Sequence, residues 1–146
     1  MAIAFTLFDA AEELKMTNEI NTAQIKHSKE FIDMAGDDSY CEQMYQPNGY
    51  GKNTGDCGDT VEIFLNVKRG MIKDVTFQID GCVNTFVCAN TIVQKIWGKR
   101  LETAWDITPE LVSDYLKTLP EDHFHCAELA VGALYLALTD FKKRGF

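Results

Sequence analysis

A chain of 146 residues that is 46% hydrophobic and 25% charged, with only three prolines, is long enough for one domain with its own core, without disulfides. Its formal charge of −8 argues against nucleic acid, because phosphate binding relies on Lys and Arg, and it favours solubility and basic partners. Five cysteines, at positions 41, 57, 82, 88 and 126, make an odd count that no self-contained disulfide framework uses.

The opening stretch, Met1 to Phe8, is mildly apolar but lacks a cationic segment and soon meets Asp9, Glu12 and Glu13, so it does not read as a signal peptide. Up to about Gln24 the periodicity is weak, which suggests an extension that packs loosely or serves a partner. Ser28 is the expected N-cap of a short helix with Phe31, Ile32 and Ala35 on one side and Gly36 as its stop. Asp37 to Asp56 should run as loop and edge strand, with a turn at Pro47-Asn48-Gly49. Val61, Ile63, Leu65 and Val67 alternate with polar or outward residues, and so do Val75, Phe77 and Ile79. Joined by Lys68-Arg69-Gly70 they form an antiparallel hairpin, extended by a strand before Cys57.

After Gly81 the period becomes helical. Val83, Phe86, Val87, Val93, Ile96 and Trp97 mark one buried face running to Gly98, with Lys95, Lys99 and Arg100 at the C-terminal end. Thr108 and Pro109 open another helix, which carries Leu111, Val112, Tyr115 and Leu116 and stops before Leu119-Pro120. The last helix should run from about Cys126 to Phe141 and end in Lys142-Lys143-Arg144. Its apolar run, Leu129 to Leu138, is about half what a membrane span needs. The expectation is an α+β domain, a small three-stranded antiparallel sheet with helices packed on one face. It should be cytoplasmic, away from membranes, with reduced thiols.

Three cysteines stand at element ends. Cys57 lies in Thr54-Gly-Asp-Cys57-Gly-Asp59-Thr60, Cys82 follows Gly81 where a strand should end, and Cys126 follows His125 where a helix should begin. There are 24 residues between Cys57 and Cys82 and 43 between Cys82 and Cys126, with no CxxC pair, which does not suit a zinc ribbon or an electron-transfer ferredoxin. Helix N-termini favour thiolate at Cys82 and Cys126. Glycines beside Cys57 and Cys82 would let a cluster come close to backbone amides, and Asp59 would point to the same side of a strand as Cys57. Three thiolates with a carboxylate, or with His125, fall short of the four cysteines of a permanent cluster, so one corner should exchange. That suits a protein that builds a cluster and gives it away.

For any single cysteine a buried small hydrophobe is the simpler reading, and it is the one adopted for Cys88. Cys41 reads as an incidental loop thiol and His123 as a solvated loop residue. Asp122 and Glu128 read as first-turn acids of the last helix.

In Cys57-Gly58-Asp59, in Gly81-Cys82 opening a helix, in Gly98-Lys99 closing it, and in Leu119-Pro120 followed by His125-Cys126, the chain resembles the NifU/IscU-type iron-sulfur cluster assembly scaffolds. The pieces recur in family order over roughly residues 28 to 143, implying a 1–27 N-terminal extension and a 28–146 scaffold domain. The resemblance implies a transient [2Fe-2S] cluster built from iron on Cys57, Cys82 and Cys126, with Asp59 modulating release and His125 at the site. It also implies sulfur arriving as persulfide from a cysteine desulfurase, with Cys126 as receiver, and delivery to apo iron-sulfur acceptor proteins by a carrier rather than a turnover enzyme. Family members commonly carry Asn-Pro-Arg-Asn where this chain has Ala35-Gly-Asp-Asp-Ser39. Leu119-Pro-Glu-Asp-His123 replaces Leu-Pro-Pro-Val-Lys, which counts against a dedicated Hsp70-type chaperone as partner. The serine-rich stretch after the Gly-Cys box reads Val83-Asn-Thr-Phe-Val-Cys88-Ala-Asn, the mark of a divergent branch. Two other readings are a zinc-binding sulfur-relay protein using the same ligands and, more weakly, a thiol redox protein.

Overall fold

A computed structural model describes residues 26–145. Helix α1 (Lys29–Ala35) is followed by strands β1 (Gly49–Thr54), β2 (Thr60–Lys68) and β3 (Met71–Asp80), which form an antiparallel sheet in the order β1-β2-β3. Helices α2 (Val83–Ile96), α3 (Leu101–Trp105) and α4 (Pro109–Leu116) come next. A 3-10 turn (Glu121–His123) then leads into α5 (Phe124–Arg144). The expected extension lies, up to residue 25, outside the described residues. His27, at its end, stacks on Phe31 with ring centroids 3.7 Å apart and hydrogen-bonds to the Thr118 hydroxyl at 2.9 Å.

The period-two pattern puts Val61, Ile63, Leu65 and Val67 of β2 and Val75 and Phe77 of β3 on one buried face, against α2 and α5. β1 supplies almost no side chain to that face. A Cβ on Gly49 would stand 2.9 Å from the Ala137 carbonyl, and one on Gly51 would run into the Ala133 carbonyl and the Ala137 amide. These glycines, facing alanines, let α5 lie directly on the strand. The expected turn at Pro47-Asn48-Gly49 instead extends the sheet. The Asn48 amide group donates to the Val67 carbonyl and accepts from the Val67 N–H, both at 2.9 Å, beside a register shift at Asn66/Val67. It pairs as a peptide group would.

Capping follows the sequence. Ser28 accepts from the Phe31 N–H at 3.0 Å and donates to the Leu116 carbonyl, tying α1 to the end of α4, while Thr108 accepts from the Leu111 N–H at 3.1 Å. Buried Asn90 of α2 donates to the Met34 and Asp37 carbonyls and so fastens the Ala35–Ser39 loop.

Three further expectations are corrected. Val83 and Trp97 are exposed rather than part of the α2 core face. Val83 is the first helical residue, and Trp97 caps the helix with extended backbone, which takes its side chain out of phase. Helix α3, absent from the sequence reading, is five residues long and has no side-chain cap, and its Trp105 stacks on Tyr135. Helix α5 begins at Phe124, before Cys126, and with the preceding turn it is long and apolar enough to cross a membrane. Its apolar side is occupied by the sheet and α2, which makes it the core helix.

Candidate metal centre

Three chain segments meet at one end of the sheet. β1 and β2 are joined by residues 55–59, a turn closed by Gly55 N–H donating to the Asp59 carbonyl at 2.9 Å and Gly58 N–H to the Gly55 carbonyl at 3.0 Å. Thr60 pairs with Asp80 at the end of β3, which brings Asp59 alongside Gly81. Cys82 then caps α2, with its thiol exposed, and the first turn of α5 brings up Cys126, fully buried.

Asp59, Cys82 and Cys126 each offer one ligand atom, and these lie within 4.8 Å of one another. Two sulfur ligands of a tetrahedral ion with bonds of ~2.3 Å sit roughly 3.8 Å apart, so the set is close to the size of one metal site. Cys57 is not part of this group and stays exposed on the β1–β2 turn. Its expected strand relation to Asp59 does not hold, because the two are in a turn with Gly58 at φ +91°. Exposed His125 holds its Nε2 3.7 Å from the Cys126 sulfur. His123 pairs with Asp122 at 3.0 Å, its ring 5.8 Å from that of His125.

The glycines do other work than the sequence suggested. Gly58 has open space around its missing side chain and is needed for its positive φ. A Cβ on Gly81 would stand 2.5 Å from Asp59 Oδ2 and 2.7 Å from its Cγ, so the bare backbone there makes room for the carboxylate. The expected thiolate character of Cys126 is also reversed. Burial pushes its thiol up to about 11, opposed by a hydrogen bond from Thr85 and reinforced by the charges of Cys82 and Asp59.

Cys88 is buried in the core, its thiol pushed up by burial and then by the nearby Cys126 and Cys82. Cys41 is half-buried where the chain bridges to Phe77, its thiol raised by burial and by Asp38. Thr85 escaped the sequence reading. It stands three residues after Cys82, a spacing that puts both on one side of the first helical turn, and this was the one available signal.

A family model described as NifU-like N terminal domain matches residues 40–146. The chain belongs to this family. Two proteins of Archaeoglobus fulgidus named iron-sulfur cluster assembly scaffold protein IscU are each 37% identical over 90 residues, which is 61% of this chain and 59% of theirs. The chain therefore spans less than two thirds of those relatives. The IscU-named scaffold protein of Buchnera aphidicola subsp. Baizongia pistaciae is 33% identical over 89 residues, 60% of this chain and 70% of that one. Among solved structures, a nitrogen-fixing NifU-like protein (N-terminal) from Brucella abortus superposes with a TM-score of 0.66 at 14% identity, covering 81% of this chain and 95% of that one. At that identity the likeness shows a shared fold.

Proposed function

We propose that this protein is an iron-sulfur cluster assembly scaffold: it binds iron, accepts sulfur, assembles a transient [2Fe-2S] cluster and hands it to apo-proteins. The cluster is cargo, and the protein acts as a carrier rather than a turnover enzyme. The observation that carries this reading is the convergence of Asp59, Cys82 and Cys126 within 4.8 Å at the meeting point of three elements. Cys57 completes the thiolate set from the adjacent turn, and His125 stands by the site as a nitrogen donor. Carboxylate oxygen is a poorer match than thiolate for iron-sulfur chemistry, so the Asp59 corner is the one that exchanges. Five free cysteines suit the reducing cytoplasm.

Sulfur comes from a cysteine desulfurase persulfide. The Cys126 thiol gives up its proton to solvent, the resulting thiolate attacks the terminal sulfur, a new S–S bond forms at Cys126, and the desulfurase cysteine leaves as thiolate. Because Cys126 is buried, this transfer requires the site to open.

A second reading, a zinc-binding sulfur relay, is favoured by the tightness of the present set. Two sulfurs and an oxygen within 4.8 Å fit one tetrahedral ion. Anaerobic reconstitution with iron, a desulfurase and cysteine, followed by addition of apo-ferredoxin, separates the two. A visible chromophore that forms and passes to the ferredoxin is the expected result. A colourless protein that holds one tight zinc and accelerates the desulfurase would replace the scaffold reading with the relay.

A further inference from the structure

One buried polar group beside the metal centre has no part in the ligand set. Thr85 is wholly buried in the first turn of α2. Its hydroxyl donates to Asp59 Oδ2 at 2.7 Å, and it lies 3.4 Å from the Cys126 sulfur and 3.8 Å from the Cys82 sulfur. A helical threonine can satisfy its hydroxyl on the carbonyl four residues back, as Thr91 does on Val87 at 2.7 Å. Thr85 turns instead toward all three candidate ligands. The Asp59 carboxylate also rests against Gly81, where any side chain would displace it. The carboxylate thus fits a slot lined by a missing side chain and a hydroxyl.

We infer that Thr85 is the positioning residue of this site: its hydroxyl holds Asp59 turned toward Cys82 and Cys126 and so sets how well the carboxylate serves as a ligand. The inference rests on the metal-site reading of these residues. The bond at 2.7 Å is made to a carboxylate and is the stronger of the contacts, since charge-assisted bonds are about twice as strong as neutral ones. It fixes Oδ2 while the carboxylate still offers an oxygen within 4.8 Å of both sulfurs. A hydrogen-bonded carboxylate of this kind is oriented by its outer partner as much as by the ion. When the carboxylate is displaced, the same hydroxyl has the Cys126 sulfur within reach, so the buried donor is satisfied in both states. Valine would fill the same volume and serve neither acceptor.

The test is equilibrium zinc binding to the full metal-free chain, by competition with a chromophoric chelator, together with the visible spectrum of the cobalt(II) form. Thr85→Val is expected to weaken zinc binding by about 10- to 100-fold, the usual effect of losing an outer-shell partner. Its cobalt spectrum should converge on that of Asp59→Ala. Thr85→Ser should keep wild-type affinity, and Thr85→Val should add nothing in an Asp59→Ala background, because the residue acts through that carboxylate. Thr85→Ala removes the hydroxyl without a branched side chain and is read alongside in case the valine variant fails to fold. Wild-type affinity in both hydroxyl-free variants, equal losses in Ser and Val, or additivity with Asp59→Ala would each overturn the assignment. If the zinc pattern holds while wild-type protein never forms a chromophore with iron and sulfide, Thr85 keeps its role and the scaffold reading fails.

Discussion

At the scale of single residues, the candidate metal centre is shaped by two positions that supply no ligand. Thr85 donates to Asp59, and Gly81 yields the space the carboxylate fills. Gly81→Ala forces a collision with Asp59 Oδ2, Cγ and Cβ, the last at 3.1 Å, so rotating the carboxylate cannot relieve all of it. The variant should lose about 1–3 kcal/mol of stability in urea unfolding, as overpacked sites do, and zinc affinity should fall to that of Asp59→Ala. Undiminished affinity would mean that Asp59 does not need this slot. Cys88→Ser makes the opposite case. It buries a hydroxyl in the core for a cost of about 1–3 kcal/mol and should leave zinc affinity unchanged. Loss of metal binding would give the core cysteine a part in the site. Asp59, Cys82 and Cys126 were legible in the sequence because their side-chain chemistry singles them out and a glycine neighbours two of them, whereas Cys57 and His125, also expected at the site, lie outside the group. The parts of Thr85 and Gly81 were not, because both depend on the β1–β2 turn lying against the start of α2, a contact made only by the fold.

Among the elements, the pairing of α5 with β1 decides how the site is assembled, because Cys126 rides on the helix and Asp59 hangs from the turn after the strand. The contact is close because Gly49 and Gly51 face Ala133 and Ala137. Gly132 likewise makes room for the Asn53 amide, which donates to the Leu129 carbonyl at 3.1 Å. In Gly51→Ala the new methyl would meet the Ala133 carbonyl and the Ala137 amide, and it would stand 2.9 Å from the Leu136 Cβ. Helix backbone cannot rotate away, so helix and strand must separate. A loss of about 3 kcal/mol in urea, with weaker zinc binding through the displaced Cys126, is the expected outcome. A variant as stable as the wild type would show that α5 moves freely on the sheet. Sequence periodicity found β2, β3 and the long helices because each leaves a repeating pattern, and the caps at Ser28 and Thr108 were read from residue type. It missed α3, which is too short to show a period, and it could not show that β1 offers glycines where β2 offers Val and Ile. In composition those glycines resemble a loop.

For the molecule as a whole, the candidate ligands come from segments far apart in sequence, so a metal held by them would link binding to folding. Asp59 and Thr85 are 26 residues apart, and Thr85 and Cys126 are 41 apart. A metal that joins such segments exists as a bound species only in the native state, and it stabilises that state by mass action. Free zinc at a hundredfold excess over its dissociation constant should add about 2.7 kcal/mol. For a chain of this length that raises the melting temperature by roughly 10 °C, and excess chelator should reverse it. Cys88→Ser should show the full shift from its own lower baseline, whereas Thr85→Val at the same free zinc should show a smaller one. The comparison separates a metal bound at the meeting of three segments from one held by acidic groups on the surface. A surface ion would leave Thr85→Val with the wild-type shift, and a melting temperature indifferent to zinc would remove the metal from the stability of this fold altogether.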